Sequence, residues 1–462
     1  MYQNVKSCVA LGGNMSELFN CQVGLREGEC LSPLIFSLYI NDLRDYLSSS
    51  NEGLEINYVD NDIECYLKIL LLMYCDDTVL FADTKKQLQK LLDTYIEYCK
   101  ENQLFINTKK TKVMIFGAQY RKPKFFANGV ALNVVNKFKY LGIVFSKNGR
   151  FMNSIKENLE KARKAFFGLI RKCREKYIPI DCQLELFEKC IEPILLYGCE
   201  IWGFEDCKIL EKFRIKCYRI LLNAKTSTPY YMLYGELGIL PLKLNIKKRI
   251  ITYWAKLISL NHDKLSRTLY DIMLFEIANR QSHFKWIECV KTILNECGFS
   301  YLWQYQKHIA KLNPIDIHIR LYDISLQLVR QAASESSKGK HYFNIKNEWK
   351  QENYFKVLNH KQALTMFKYR TCNHRLPVET GRFRDIPFHE RLCTLCSHDV
   401  GDEYHYLMTC SFFRNERRKF LNRDYYIRPS MATYVNILNC TDIQLLKKLS
   451  TYMSIKMQRV RT

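Results

Sequence analysis

The segment YCDD (residues 74–77) contains two adjacent carboxylates, Asp76 and Asp77, in surroundings that are otherwise apolar. The apolar runs on either side, residues 67–73 and 78–82, predict two buried strands that meet at a tight turn. Mg²⁺ suits such a junction, because it is commonly bound by a few carboxylates together with substrate phosphates. A hairpin with a solvated acidic turn explains the same residues without a ligand, so the rest of the chain must decide.

A second group of residues has the types and spacing of a metal site. Cys393 and Cys396 are separated by two residues, and His405 and Cys410 follow. Two cysteines, a histidine and a further cysteine supply four ligands for tetrahedral Zn²⁺. The spacing therefore predicts a small zinc knuckle over residues 393–410, with His398 as a competing ligand.

The charge of the chain favours a polyanionic partner. Its 462 residues carry 70 Lys and Arg against 47 Asp and Glu, a net charge of +23. Residues 1–104 have 8 basic against 16 acidic residues, net −8, whereas residues 105–225 have 25 against 11, net +14. An acidic block beside a strongly basic one suits a metal centre next to a surface that follows phosphates, so nucleic acid is the first candidate and an anionic membrane surface the second.

Three basic stretches are candidates for that surface. Residues 151–177 and 206–223 have apolar residues at helical spacing, with Lys and Arg between them. Arg414, Arg417, Arg418 and Lys419 come directly after the cysteine cluster. Solvated basic helices explain the first two stretches equally well, and the last one is compatible with nucleic-acid contact or with closing a small domain.

The elements around YCDD are predicted from local patterns. Ser32 and Pro33 predict a helix start, with Ser32 as the N-cap, and an apolar helical spacing follows over residues 34–47. Residues 48–66 are polar and predict a connecting loop. Residues 84–102 predict an amphipathic helix, and residues 104–116 predict a strand, a basic turn and a strand.

Four segments, taken in order, resemble the palm of a reverse transcriptase. They are GLREGECLSPLIF (24–36), YCDD (74–77), LFINTKKTKVMIF (104–116) and FKYLGIVF (138–145). The residues of these motifs are most similar to those of non-LTR (LINE-type) retrotransposon enzymes, and the similarity continues through residues 194–204 into the cysteine cluster. The resemblance implies an RNA-directed DNA polymerase that uses Mg²⁺, deoxynucleotides, an RNA template and a DNA primer.

The resemblance also implies roles for individual residues. Asp76 would be a catalytic metal ligand, with Asp77 supporting the metal and the primer end. The nucleotide and template would contact one set of residues, and the primer grip would be formed by another. The first set is Gly24, Gly28, Ser32, Pro33, Tyr74 and Lys110, although a solvated basic turn explains Lys110 equally well; the second is Phe138, Tyr140, Leu141 and Gly142.

Two departures from the family pattern lower the expected activity. Glu27 stands where the family usually has Gln, which brings a carboxylate near phosphates and removes the amide donors. The family's first catalytic aspartate lies a few dozen residues before Gly24, yet the 23 residues before Gly24 contain no aspartate and only one carboxylate, Glu17. The nucleotide-binding fingers are absent too, so two-metal catalysis is expected to fail in this N-terminally truncated chain alone.

Two alternatives stay open beside this inactive polymerase fragment. One is a non-catalytic relic that still binds RNA or DNA. The other is a chain without a stable fold, because strands over residues 69–82 would lose a neighbour and expose an edge.

The predicted fold class is α+β. A partial reverse-transcriptase palm, an antiparallel sheet with helices, is expected over residues 1–148. The remaining predicted parts are mostly helical: a basic thumb-like region, a helical region, and a C-terminal region that carries the knuckle (149–225, 226–331 and 340–462), with residues 332–339 as a linker. No apolar run is long enough for a membrane span, and the 19 cysteines without a secretory leader favour an intracellular chain, nuclear or cytoplasmic. The sequence does not define an oligomeric state.

Overall fold

A computed structural model describes residues 5–21, 24–26, 28–60, 63–117, 123–306, 312–336, 338–339, 341–346 and 348–460. Glu27, one of the two predicted departures, lies outside these residues. The chain divides into two compact units, residues 1–149 and 150–462. Over these described residues, the first unit mixes short strands with three helices, and the second is almost entirely helical.

The elements of the first unit follow in chain order. They are β1 (Val5–Ser7), β2 (Ala10–Leu11), β3 (Asn14–Met15), β4 (Phe19–Cys21), α1 (Ser32–Tyr39), α2 (Leu43–Ser48), β5 (Leu54–Asp60), β6 (Ile63–Ile69), β7 (Leu71–Tyr74), β8 (Asp77–Leu80), α3 (Lys85–Glu101), β9 (Lys112–Met114), β10 (Phe125–Ala127), β11 (Val130–Val135), β12 (Lys137–Tyr140) and β13 (Ile143–Ser146).

The strands of the first unit form several small sheets. Within the described part of this unit, five are antiparallel pairs: β1–β4, β2–β3, β5–β6, β7–β8 and β12–β13. The sixth is a mixed three-stranded sheet in which β11 pairs antiparallel with β10 and parallel with β9. The predicted mixture of helices with antiparallel strands is confirmed, although the described strands form several small sheets and β11 pairs with β9 in parallel.

Helix α3 packs against two groups of elements in the first unit. Thr84 is its N-cap and forms a reciprocal capping box with Gln87. Leu92 and Ile96 pack on the mixed sheet, whereas Leu91 and Tyr98 pack on α2. The helix thus buries two faces, and each fully buried large apolar side chain contributes about 1.5–3 kcal/mol to stability.

Three local predictions in this unit are wrong. Residues 48–66 are not a loop, because β5 and most of β6 lie there as an antiparallel hairpin. Apolar and polar residues alternate along these strands, so the segment is polar on average although it forms strands. Ser32 is not the N-cap: that position is Leu31, and the Ser32 hydroxyl donates to the Arg26 carbonyl at 2.6 Å. The helix predicted over residues 34–47 is broken between α1 and α2.

The helices of the second unit also follow in chain order. They are α4 (Met152–Glu175), α5 (Ile180–Leu186), α6 (Glu192–Leu195), α7 (Cys199–Trp202), α8 (Lys208–Leu221), α9 (Tyr230–Leu237), α10 (Leu242–Ile258), α11 (Leu265–Arg280), α12 (Lys285–Glu296), α13 (Ser300–Gln304), α14 (Ile315–Ser334), α15 (Tyr342–Ile345), α16 (Tyr354–Val357), α17 (His360–Arg370), α18 (Pro377–Arg382), α19 (Arg414–Phe420), α20 (Met431–Leu438) and α21 (Ile443–Arg459). A π-helical turn (Phe187–Ile191) joins α5 to α6, and another (His405–Thr409) precedes α19.

One hydrophobic core runs through the second unit from Ile155 in α4 to Met453 in α21. The segment predicted as a linker does not lie free of this core. Helix α14 extends to Ser334, and the buried Lys338 ammonium lies 3.6 Å from the Glu379 carboxylate. None of the helices in the described part of the chain combines the length and apolar content needed to cross a bilayer.

Candidate nucleic-acid and metal sites

The two carboxylates of YCDD lie at the tip of the β7–β8 hairpin. Tyr74 pairs with Asp77, so Cys75 and Asp76 form a two-residue turn. Cys75 has a φ of +54°, a left-handed conformation that costs a residue with a β-carbon about 1–2 kcal/mol. The predicted tight turn is confirmed. Its strands are half-buried rather than buried, because they form a two-stranded sheet that is covered mainly on one face.

The turn offers an incomplete set of ligands for magnesium. Asp76 and Asp77 are both exposed. Among the described residues, no third histidine, cysteine or carboxylate lies close enough to complete a three-ligand cluster with them. Two carboxylates fit one Mg²⁺ ion whose remaining ligands are water and phosphate oxygens. They do not by themselves fit the pair of ions that nucleotidyl transfer employs.

The hairpin predicted as the primer grip consists of β12 and β13. Tyr140 pairs with Ile143, and the turn between them, Leu141 and Gly142, has positive φ at both residues. This is the pattern of a tight two-residue hairpin turn. Burial and, secondarily, the negative charge of Asp77 raise the pKa of Tyr140. The electrostatic influence of Asp77 on Tyr140 indicates that this hairpin lies near YCDD.

The other predicted nucleotide contacts lie on exposed segments. Gly24 and Gly28 both adopt positive φ, and an added β-carbon would meet no atom within 4 Å at either position. Pro33 is in the first turn of α1. Lys110 lies in a turn in which its backbone amide donates to the Asn107 carbonyl at 3.0 Å, and its side chain is exposed.

Helix α4 presents a basic surface. Its buried side includes Ile155, Ala162 and Phe166, as the helical spacing predicts. Seven Lys and Arg residues stand against three Glu within its bounds. All seven are exposed, and three pair with glutamates of the same helix while others, such as Lys164 and Lys172, pair with no described carboxylate.

The four predicted zinc ligands meet in space. The ligand atoms of Cys393, Cys396, His405 and Cys410 all lie within 4.8 Å of one another. The Sγ atoms of Cys393 and Cys410 are 3.9 Å apart, and Cys396 Sγ lies 3.3 Å from His405 Nε2. A tetrahedral zinc ion with Zn–S bonds of about 2.3 Å holds its sulfur ligands about 3.8 Å apart, so the cluster fits zinc. His398 is exposed and does not belong to the cluster.

The surroundings of His405 orient it as a ligand. Its Nδ1 lies 3.3 Å from an Asp399 carboxylate oxygen and 3.1 Å from the Thr409 hydroxyl, which leaves Nε2 facing the cysteines. Burial lowers the pKa of His405 and favours the neutral imidazole that metals require. Burial alone would raise the pKa of Cys393, but hydrogen bonds from the Tyr406 hydroxyl and nearby backbone amides lower it.

A second buried cluster was not predicted. Cys372, His374 and Glu403 place their polar atoms within 4.8 Å of one another, and His374 Nε2 lies 2.9 Å from Glu403 Oε1. The Leu376 amide donates to His374 Nδ1 at 3.3 Å, so the imidazole proton is on Nε2 and points at the carboxylate. Burial opposes ionisation of Glu403, yet the bonds from His374 and Cys372 lower its pKa to about 2. This cluster is a hydrogen-bonded support for the segment that carries His405, and the only sequence signal for it was the Cys-x-His pair.

Comparison with known proteins finds a family match over most of the first unit. Residues 2–145 match the family described as reverse transcriptase (RNA-dependent DNA polymerase). The RNA-directed DNA polymerase from mobile element jockey of Drosophila melanogaster is 24% identical over 239 residues, which cover 48% of this chain and 24% of that protein.

Two further relatives come from Drosophila melanogaster. The probable RNA-directed DNA polymerase from transposon BS is 24% identical over 260 residues, which cover 54% of this chain and 27% of that protein. The probable enzyme from transposon X-element is 22% identical over 261 residues, with 54% and 26% covered. The matched stretch thus spans about a quarter of each curated relative. The predicted resemblance is confirmed: residues 2–145 match the reverse transcriptase family, and about half of the chain is similar to RNA-directed DNA polymerases of LINE-type mobile elements.

Proposed function

We propose that the 462-residue chain is the nucleic-acid-binding part of a non-LTR RNA-directed DNA polymerase and does not polymerise by itself. Asp76 and Asp77 contribute half of the Mg²⁺ site, while the turn of the β12–β13 hairpin contacts the primer strand. The proposed partners are an RNA template and a DNA primer inside the nucleus or cytoplasm, with deoxynucleotides as substrates of the complete enzyme. The observation that carries the proposal is the YCDD turn without a third described ligand.

Zinc completes the proposal for the second unit. The zinc ion would be held by Cys393, Cys396, His405 and Cys410. When bound, such an ion crosslinks the chain and has a structural role. The exposed cations of α4 support a thumb-like role in which they follow the phosphates of a template–primer duplex. The palm, thumb-like, helical and C-terminal divisions drawn from the sequence are part of this proposal.

The purified chain is expected to show no primer extension. The assay combines an RNA template, a DNA primer, deoxynucleotides and Mg²⁺, and follows primer length on a denaturing gel. Two-metal nucleotidyl transfer needs carboxylates that the YCDD turn alone does not supply. The Asp76→Asn variant is therefore expected to match the unaltered chain at background.

An unrelated active reverse transcriptase on the same template–primer provides the positive control. Mg²⁺-dependent extension by the chain that Asp76→Asn abolishes would overturn the proposed inactivity. The family assignment would remain.

Binding to an RNA–DNA duplex is expected to weaken steeply with salt. Removing three exposed charges of α4, with Lys164→Gln, Lys172→Gln and Arg174→Gln together, is expected to reduce the slope of log K against log salt by roughly 2–3, since each phosphate contact contributes about 0.9. Filter binding from roughly 50 to 300 mM salt measures both slopes.

A matched variant separates a local effect from a change in net charge. Lys285→Gln, Lys356→Gln and Lys361→Gln remove three exposed lysines from the same unit but not from α4. This variant is expected to keep the original slope. A flat salt response of the unaltered chain would refute nucleic-acid binding, and equal slopes for the two variants would refute the role of α4.

A binding protein without any catalytic role is the alternative. The exposed cations of α4 and the zinc cluster favour it, because neither feature requires catalysis. Adding a separate polypeptide that carries the family's first catalytic aspartate distinguishes the two. Restored extension supports the polymerase fragment, and unchanged background supports the binding protein.

A further inference from the structure

Helix α19, directly after the last cysteine of the zinc cluster, has cations of two kinds. Arg417 is buried, and its guanidinium donates to the Leu407 carbonyl at 3.1 Å and to the Cys410 carbonyl at 2.8 Å. Arg417 therefore holds the backbone of the cysteine cluster. Arg414 and Arg418, four residues apart, are instead exposed and make no ion pair with a described carboxylate.

A phenylalanine stands beside these exposed cations. Phe412 is 49% exposed although it is separated from Cys410 by only one residue. Phe413 contacts its ring edge-on at a centroid distance of 5.3 Å, and the Arg459 guanidinium lies 5.8 Å from its centroid. Arg459 is itself held at 2.6 Å from Glu416. The ring thus contacts Phe413 and Arg459 while about half of its surface faces solvent.

The charge around this ring favours an anionic partner. Residues 410–430 contain six Lys and Arg against two acidic residues, net +4. One of the two acidic residues, Glu416, is already paired with Arg459. A surface of this kind suits phosphates that flank an aromatic contact better than it suits an apolar protein segment.

We infer that Phe412 is a base-stacking platform for single-stranded nucleic acid, with Arg414 and Arg418 binding the phosphates on either side. Only unpaired nucleotides expose a base face to an aromatic ring, so the partner is a single strand rather than a duplex. The inference rests on the proposed function, since it assumes that the chain binds nucleic acid. It adds a second contact, separate from the duplex-tracking cations of α4.

The test measures binding of a 12-nucleotide oligouridine to the full chain by fluorescence anisotropy. Phe412→Ala is expected to weaken binding about 10-fold at fixed salt, as one lost base–aromatic stack does, and to leave the salt slope unchanged. Phe412→Trp is expected to restore affinity. Arg414→Gln with Arg418→Gln is expected to lower the salt slope by about 1.4, because each single-strand phosphate contact contributes about 0.7.

Two measurements keep the test independent of folding. Zinc content and circular dichroism of Phe412→Ala are compared with those of the unaltered chain. Phe343→Ala, which removes another exposed phenylalanine of the same unit, is the matched control and is expected to bind normally.

The possible outcomes separate the two proposals. Normal oligouridine binding by a folded Phe412→Ala variant overturns the stacking platform and leaves the proposed function intact. A 10-fold loss that Phe343→Ala reproduces also overturns it, because the effect is then not specific to Phe412. Failure of the unaltered chain to bind both oligouridine and the duplex overturns the proposed function as well.

Discussion

Replacing Cys393 by alanine is expected to abolish zinc binding, from about one ion per chain to none. Cys393 is 1% exposed, and its Sγ lies 3.9 Å from that of Cys410. Losing one of four ligands opens the site to water and removes a folding constraint, which in zinc-finger peptides is worth about 10–16 kcal/mol for the whole ion. Zinc released by acid and measured with a chromogenic chelator gives the stoichiometry.

Matched variants define which residues are the ligands. Cys440→Ala removes a half-buried cysteine outside the cluster, and His398→Ala removes the competing histidine. Both variants are expected to keep one zinc. Full zinc content in Cys393→Ala, or its loss in His398→Ala, would contradict the ligand set formed by Cys393, Cys396, His405 and Cys410.

Replacing Arg370 by methionine is expected to lower the free energy of unfolding of the second unit by about 3–5 kcal/mol. The Arg370 side chain is fully buried, and its guanidinium forms two hydrogen bonds with Glu236, at 2.8 and 3.1 Å. It also donates to the Leu438 carbonyl at 2.8 Å and lies 3.1 Å from the Glu352 carboxylate. Without the guanidinium, the fully buried Glu236 carboxylate keeps hydroxyl donors, such as that of Tyr354 at 2.6 Å, but loses the cation that pairs with its charge.

Urea unfolding followed by tryptophan fluorescence measures this change selectively. All five tryptophans of the chain belong to the second unit. Arg384→Met, which removes an exposed arginine, is the control and is expected to change stability by less than about 0.5 kcal/mol. Combining Arg370→Met with Glu236→Leu is expected to recover part of the loss, because replacing both partners of a buried pair is far less costly than removing one. A change below about 1 kcal/mol in Arg370→Met would refute the argument.

The sequence by itself determined the features that depend on neighbouring residues. The acidic turn at Asp76 and the amphipathic helices α3 and α4 all follow from patterns within a few turns of chain. The resemblance to the reverse transcriptase family followed too, because four short motifs occur in order over residues 24–145. The proximity of the four predicted zinc ligands is also visible in their spacing.

Local patterns failed where pairing partners decide the structure. The polar segment before YCDD forms the β5–β6 hairpin, because backbone hydrogen bonds between strands can outweigh a weak alternation of side chains. The apolar run over residues 67–73 is split between β6 and β7 at Leu70, since each half pairs with a different strand.

Only the tertiary structure decided which charged residues stabilise the fold and which face solvent. Arg370 and Glu236 are 134 residues apart, and Glu403 meets His374 across 29 residues. Arg417 and Arg418 are adjacent in the same helix, yet one is buried against the cysteine cluster and the other is exposed. Burial is set by what packs against a residue from distant parts of the chain, and a run of like charges in the sequence carries no information about that packing.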